Sequence, residues 1–343
     1  MAETPYRSLS ADDRRDALRV AETRSPHRAF LLEKDIWVVA TLHALFEAPF
    51  GRDLAFKGGT SLSKAYRAIR RFSEDVDITY DIRAFAPDLV ADAGAEALPP
   101  TRSQERRWTK AIRARLDAWV ADEAAQSVEA NLQRDGFEPR VRAEAECLRI
   151  VYEPLFDDYA FVRPEVTVEF GARSTGEPRI VRPVECDASP FLPGLLFPRA
   201  RPSVMLAERT FWEKATAIHV FCRQERKRGE RLSRHWHDLA RLDDAGFAAR
   251  ALADRAVARS VARHKSIFFR EKDAAGNEID YHGAVGGGLQ LIPSGPALDV
   301  LADDYGRMLA DGMLLDADEP FERLMERCAG IEARANARED HDD

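Results

Sequence analysis

Apolar positions recur at helical spacing in the first fifty residues and then change to strict alternation. Residues 11–23 are amphipathic and follow Ser10, a side chain suited to capping a helix N-terminus, so a short helix is predicted there, ended by Pro26. Across residues 30–46, Leu32, Ile36, Val39, Leu42 and Leu45 fall close to helical period and predict a second helix. Leu54–Lys57 is a short strand candidate, Gly58-Gly59 breaks it, and residues 60–69 resume a helical pattern. In DVDITY, residues 75–80, β-branched residues alternate with carboxylates, which predicts a strand. Residues 85–100 predict a loop, 105–134 a long polar helix, and 138–142, 148–152 and 165–170 three strands. Residues 171–202 are rich in Gly, Pro and Arg and show little periodicity, so a domain boundary is placed there. Helices are predicted over 204–223, 233–243 and 248–263 and through a C-terminal segment, 296–337, with Gly286-Gly287-Gly288 marking a loop. The expected architecture is α+β: a first domain over 1–195 and a mainly helical second domain over 196–343.

Composition narrows the class. A 343-residue chain that is 45% hydrophobic can bury a sizeable core. The formal net charge of −8 argues against a surface that binds nucleic acid everywhere, and leaves room for a local basic patch. Cys147, Cys186, Cys222 and Cys328 show neither zinc-ligand spacing nor the density of a disulfide framework. The first residues lack the apolar core of a signal peptide, and no apolar run approaches membrane-spanning length. A cytoplasmic protein with no membrane partner is expected.

The chemistry begins at Gly58-Gly59. Glycines between a strand and a helix let backbone N–H groups approach a phosphate, and the helix start adds unpaired donors and a positive dipole end. Thr60 and Ser61 add hydroxyls at the same end. A Gly-Gly pair also simply makes a tight corner, so the turn alone decides nothing. Asp75 and Asp77 sharpen it, because residues two apart on a strand share a face and Val76 and Ile78 then point to the core. Paired carboxylates suit a Mg²⁺ that also binds substrate phosphates. Glu169, on the later strand EVTVEF, is a candidate third carboxylate, to bind a second ion or to deprotonate an attacking hydroxyl; a surface acid is the competing reading.

A second constellation lies in the helical half. Lys214 sits in ERTFWEKATAIH, and Asp238 in RHWHDL. Asp238 has two available partners: Arg234, four residues back on its own helix, or Lys214, if the two helices meet. Between them Arg223, Arg226, Lys227, Arg228, Arg231 and Arg234 form a basic run, either a solvated connection or an attractor for triphosphate or RNA. His235 and His237 are two apart, which does not place them on one helix face, so zinc is not expected.

The run FKGGTSLSKAYRAIRRFSEDVDITY at residues 56–80 closely resembles the signature of the AbiEii/AbiGii-type nucleotidyltransferase toxins, within the DNA polymerase β-like nucleotidyltransferase superfamily. LLEKDIWVV, WEKATAIH, RHWHDLARL, HKSIFFR and DDYGRM resemble its other elements, so the likeness spans most of the chain. The resemblance implies a small mixed-sheet nucleotidyltransferase core with flanking helices. It implies that Gly58 and Gly59 hold a nucleoside triphosphate with help from Thr60 or Ser61, that Ser73 lies near the γ-phosphate, and that Asp75 and Asp77 bind Mg²⁺. Lys214 and Asp238 match later functional positions, Lys214 as a phosphate contact. Two features depart from the pattern. Fifteen residues separate Gly59 from Asp75, more than is usual in the superfamily, and in RHWHD His235 and His237 replace an inner acid and an aromatic. The implied activity is transfer of NMP to an acceptor hydroxyl, RNA and in particular a tRNA 3′ end, by a toxin of a bacterial toxin–antitoxin or phage-defence pair with a cognate antitoxin. The alternatives are a nucleotide-binding module that acts by engaging a partner, and a transferase that modifies protein.

Overall fold

The structure, a computed structural model, describes residues 4–69, 71, 73, 75–157, 163–225, 231–310, 314 and 319–337. Its first helices form where capping and burial cooperate. Ser10 Oγ accepts the Asp13 N–H at 3.1 Å and starts α1, Ala11–Glu22. Helix α2, Ala29–Phe46, buries Leu32, Val39, Leu42 and Leu45 completely. Each such side chain is worth about 1.5–3 kcal/mol relative to exposure.

The central sheet has seven strands: β1 Leu54–Lys57, β2 Asp75–Asp81, β3 Arg140–Glu144, β4 Cys147–Val151, β5 Glu165–Ser174, β6 Arg179–Val181 and β7 Ser203–Met205. Their spatial order is β3-β4-β5-β2-β1-β7-β6. The β2–β5 and β1–β7 pairs are parallel and the others antiparallel, so the sheet is mixed, as expected for an α+β chain. Strands β1, β2 and β5 occupy the middle, where Phe56, Val76, Ile78, Val166 and Val168 are buried. Trp119 covers one end of this core with edge-on contacts to Phe50, Tyr80 and Phe170.

Several expectations change here. The helix after β1 is α3, Gly58–Lys64, which starts at the glycines themselves and stops well before residue 69. Residues 85–100 contain a short helix, Pro87–Val90, rather than loop alone. The long polar helix is α4, Arg102–Trp119, followed by a π-helical turn, Val120–Ala124, and α5, Ala125–Arg134. The stretch 171–202 supplies the end of β5 and all of β6, and β7 follows directly. Its short strands carry too few residues to display alternation, which is why the sequence pattern there is irregular.

Contact density divides the chain into two units. The first comprises Met1–Ala65, Ser73–Ala97 and Arg106–Met205, and the second Tyr66–Phe72, Leu98–Glu105 and Leu206–Asp343. The second unit is mainly helical: α6 Ala207–Gln224, α7 Arg234–Asp244, α8 Phe247–Ala253, α9 Arg255–Phe268, α10 Pro296–Ala310 and α11 Phe321–Asn336. The expected single C-terminal segment is thus the two helices α10 and α11. Trp212 Nε1 donates to the Ala251 carbonyl at 2.8 Å and Trp236 Nε1 to that of Leu291 at 2.7 Å, so both buried indoles are satisfied. Among the described residues no helix is long and apolar enough to cross a membrane. The four cysteines are free thiols.

Candidate functional site

In the first unit, the turn from β1 into α3 lies against β2. Lys57 pairs with Asp77 across the β1–β2 ladder, and the next residue, Gly58, has φ +76°. A Cβ on Gly58 would stand 1.9 Å from Asp77 Oδ2. Only glycine satisfies both the dihedral and this approach. The turn therefore brings the start of α3 against the carboxylate, with donors that belong to the first turn of a helix. Replacing Gly58 with alanine is expected to lower the melting temperature by the equivalent of at least about 1–3 kcal/mol of backbone strain. A Gly58→Ala protein with wild-type melting would show that this close approach is dispensable.

Asp75 and Asp77 alternate with the buried Val76 and Ile78, so both carboxylates leave the core on one face. In the parallel β2–β5 ladder Asp75 lies opposite Thr167 and Asp77 opposite Glu169. Glu169 is exposed, with Val168 and Phe170 buried on either side of it. The register thus places Glu169 beside Asp77 on the same face. Its charge also reaches β4, where burial and then Glu169 push the Cys147 thiol up.

The hydroxyls predicted at the turn have partners within the chain. Thr60 is fully buried; its Oγ1 bonds to the Asp75 carbonyl and lies 2.8 Å from Ser73 Oγ. Ser61, also fully buried, donates to the Gly58 carbonyl at 2.9 Å. Thr60 therefore fastens α3 to the start of the carboxylate strand, and Ser73 joins that same link.

A buried charge cluster behind α3 escapes a reading of the sequence. Lys64, at the end of α3, bonds to Asp35 on α2 and, at 2.7 Å, to Asp187. Asp35 also accepts the Asp187 N–H at 2.6 Å. Burial opposes the charge on Lys64, but the two carboxylates outweigh it and hold the ammonium's pKa raised. The Asp35 carboxyl is raised as well, first by burial and next by the Asp187 charge. The neighbouring Glu33 accepts the Leu155 N–H at 3.0 Å, and Lys34 donates to the Arg163 carbonyl at 3.2 Å. Three consecutive charged residues, Glu33 to Asp35, are thus buried, each tied to a different loop or helix. The signal is the charged trio set inside an otherwise apolar run.

In the second unit, Lys214 on α6 reaches Asp238 on α7 with Nζ to Oδ2 at 2.9 Å. Of the two partners considered from sequence, Lys214 is the one that binds. The second ligand is Arg71, whose Nε and Nη2 grip the two carboxylate oxygens at 2.7 and 2.9 Å. Sequence reasoning missed Arg71, although it lies inside the run that carries the family resemblance. Asp238 is fully buried. Burial opposes its charge, yet Arg71 and Lys214 hold its carboxyl well below the usual range. Arg71 and Lys214 thus both address the one buried carboxylate.

The start of α7 is fixed by Asp304, from the DDYGRM segment. Its carboxylate accepts the Arg231 and Ser233 N–H groups at 2.7 and 2.8 Å and the Ser233 hydroxyl at 2.7 Å. His235 is held neutral, its pKa well below the ordinary value because of burial first and then the Lys214 and Arg234 charges. His237 is fully buried, with Nδ1 3.7 Å from Asp238 Oδ1. Of the basic run, Arg223 pairs with Asp273 at 3.3 Å; Arg226, Lys227 and Arg228 lie outside the described residues. Among the described residues no group of three or more His, Cys, Asp or Glu is disposed to hold a metal ion.

Residues 41–327 match the family described as nucleotidyl transferase AbiEii toxin, type IV TA system. Among solved structures, MenT4, a nucleotidyltransferase toxin from Mycobacterium tuberculosis H37Rv, is similar over 94% of this chain and 99% of its own, at 17% identity and a TM-score of 0.39. No curated protein matches the chain.

Proposed function

This chain belongs to the AbiEii nucleotidyltransferase toxin family of type IV toxin–antitoxin systems, and from that premise we propose that it transfers NMP from an NTP to a hydroxyl of RNA, with Mg²⁺ held by Asp75 and Asp77. The observation that carries the reading is the approach of Gly58 to Asp77: a glycine-only turn opening a helix, set against paired carboxylates on a sheet face. The donor set is hard oxygen, which fits Mg²⁺, an ion that takes one or two carboxylates together with substrate phosphates. Bound there, the ion would neutralise charge developing on the triphosphate.

The chain's own groups divide the remaining work. The Gly58 and Gly59 N–H groups cradle triphosphate oxygens at the start of α3. Thr60, Ser61 and Ser73 keep that turn in place against β2, and Lys64, clamped by Asp35 and Asp187, keeps the other end of α3 in place. Lys214, fixed in place by Asp238, holds a phosphate oxygen. Glu169 takes the proton from the acceptor hydroxyl as its oxygen bonds to the α-phosphorus and the bond to the leaving pyrophosphate breaks. Catalysis here is mostly positioning and charge compensation. The acceptor is a tRNA 3′ end, the compartment is the cytoplasm, and a cognate antitoxin restrains the enzyme, in toxin–antitoxin control or phage defence.

The test is incubation of the purified protein with total RNA, Mg²⁺ and each NTP in turn, radiolabelled at the α-phosphate. Label in a tRNA-sized band with one nucleotide is the expected result. Label in protein instead would point to a protein acceptor. Nucleotide-dependent stabilisation without pyrophosphate release would point to a binding module.

A further inference from the structure

A row of side chains crosses one face of the sheet through Asp77. Lys57 stands directly opposite Asp77 in the β1–β2 ladder, as Phe56 stands opposite Ile78. Phe56 and Ile78 are fully buried, so Lys57, the next residue, points to the other face, the one that carries Asp77 and Glu169. Its backbone is still extended, with φ −140° and ψ −169°, so the alternation of β1 holds to its last residue, and α3 starts immediately after it. Lys57 is half-buried. On its other side β7 pairs Val204 with Phe56, which sets the buried, apolar Met205 beside Lys57. The charge that faces Lys57 across the sheet is therefore that of Asp77.

Opposite charges directly across a ladder attract and can pair. Here they do not close: among the described residues neither Lys57 nor Asp77 makes an ion pair or a side-chain hydrogen bond. The Asp77 carboxylate lies over Gly58 instead. Lys64, at the other end of α3, is the contrast, because it is buried and engaged by both Asp35 and Asp187. Lys57 thus sets an uncommitted ammonium, on a flexible four-carbon stem, beside the first N–H groups of α3 and across from the carboxylates. Asp75, Asp77 and Glu169 on this face repel a triphosphate, and a cation in their own row offsets that repulsion where the phosphates arrive.

We infer that Lys57 is a phosphate-contacting residue, its ammonium donating to an oxygen of the donor's triphosphate at the Gly58-Gly59 turn. The inference rests on the proposed binding of a triphosphate at that turn. Every residue it uses, on β1, β2, β5 and α3, belongs to the first unit. The ammonium holds the phosphates in position and offsets the charge that collects on pyrophosphate as it leaves, and it transfers no proton.

The test measures the affinity of each NTP and of inorganic tripolyphosphate by calorimetry on the full chain with Mg²⁺. The proteins are the wild type, Lys57→Met and Lys57→Arg. Lys57→Met should weaken tripolyphosphate and the best-bound NTP by the same factor, at least about tenfold, the scale of one hydrogen bond to a charged group. Lys57→Arg, which keeps the charge, should recover most of the loss. Thermal melts verify that the variants are folded, and Lys57→Gln takes the place of Lys57→Met if that protein does not fold. A lysine that serves only the sheet, as a cross-strand neighbour of Asp77, gives a different result: melting falls in Lys57→Met while tripolyphosphate binds as in the wild type. Unchanged tripolyphosphate affinity in the folded neutral variant overturns the assignment, and label still transferred to RNA by the wild type leaves the transferase reading standing. If the wild type binds neither NTP nor tripolyphosphate, both readings fail together.

Discussion

Replacing Asp75 and Asp77 together with asparagine is expected to cut nucleotidyl transfer at least about a thousandfold while leaving the fold intact. The two side chains stand on one face of β2, with the core packing carried by Val76 and Ile78 between and beyond them. Asparagine has the same shape as aspartate, so the close approach to Gly58 is kept. What changes is charge: the row of anions that would attract a divalent cation becomes neutral, and a mutual repulsion is relieved. Melting should therefore stay level or rise slightly as transfer disappears. That pairing separates a chemical role from a structural one. Transfer that persists in the double variant would remove both residues from the mechanism, and a collapse in melting temperature would mean that their charges hold the sheet. The single variants should order the site further. Glu169 lies beside Asp77 rather than Asp75 in the ladder, so Asp77→Asn should couple more strongly than Asp75→Asn to Glu169→Gln in a double-mutant cycle.

Parts of this arrangement are legible in the amino-acid sequence, for identifiable reasons. Strand β1 and its break at Gly58 can be read because a glycine pair after an apolar run is a strong local signal. The shared face of Asp75 and Asp77 follows from the two-residue repeat of a strand, and the position of Glu169 needs only one more alternating segment to pair in register. A lysine on an apolar helix face needs an anion nearby, which makes Asp238 a candidate partner for Lys214, and the two do meet. The remainder depends on contacts between distant segments. Arg71 reads as one more charge in a basic stretch, yet it closes on a carboxylate 167 residues away. Asp304 reads as a solvated helix acid, yet it organises the start of α7. Asp35 and Lys64 read as exposed by type, and are buried because each satisfies the other. Buried ion pairs of this kind leave little local trace, because periodicity reports which face is apolar and does not report which charges meet behind it.

Asp238→Ala is expected to be the most destabilising single change in the second unit. It removes an anion that both Arg71 and Lys214 address and leaves two buried cations facing each other. Breaking a buried pair in this way typically costs about 3–5 kcal/mol, a large share of the roughly 5–15 kcal/mol that keeps a domain folded. Asp238→Asn retains shape and two hydrogen-bond acceptor lone pairs on its carbonyl, so its cost should be smaller. Pairing Asp238→Ala with Lys214→Met should recover part of the loss, because one orphaned cation leaves with its partner. Denaturant titration of the three proteins checks the order. The pH dependence provides a second check. The carboxyl is depressed in the folded state, so its contribution is full above the unfolded value of about 4 and is lost as pH falls through the depressed folded value. Wild-type stability should therefore fall with pH below about 4 more steeply than that of Asp238→Asn, which has no proton to take up at that position. Equal acid slopes in the two proteins would mean that Asp238 is not held ionised by Arg71 and Lys214, and the phosphate-binding role assigned to Lys214 would lose its electrostatic basis.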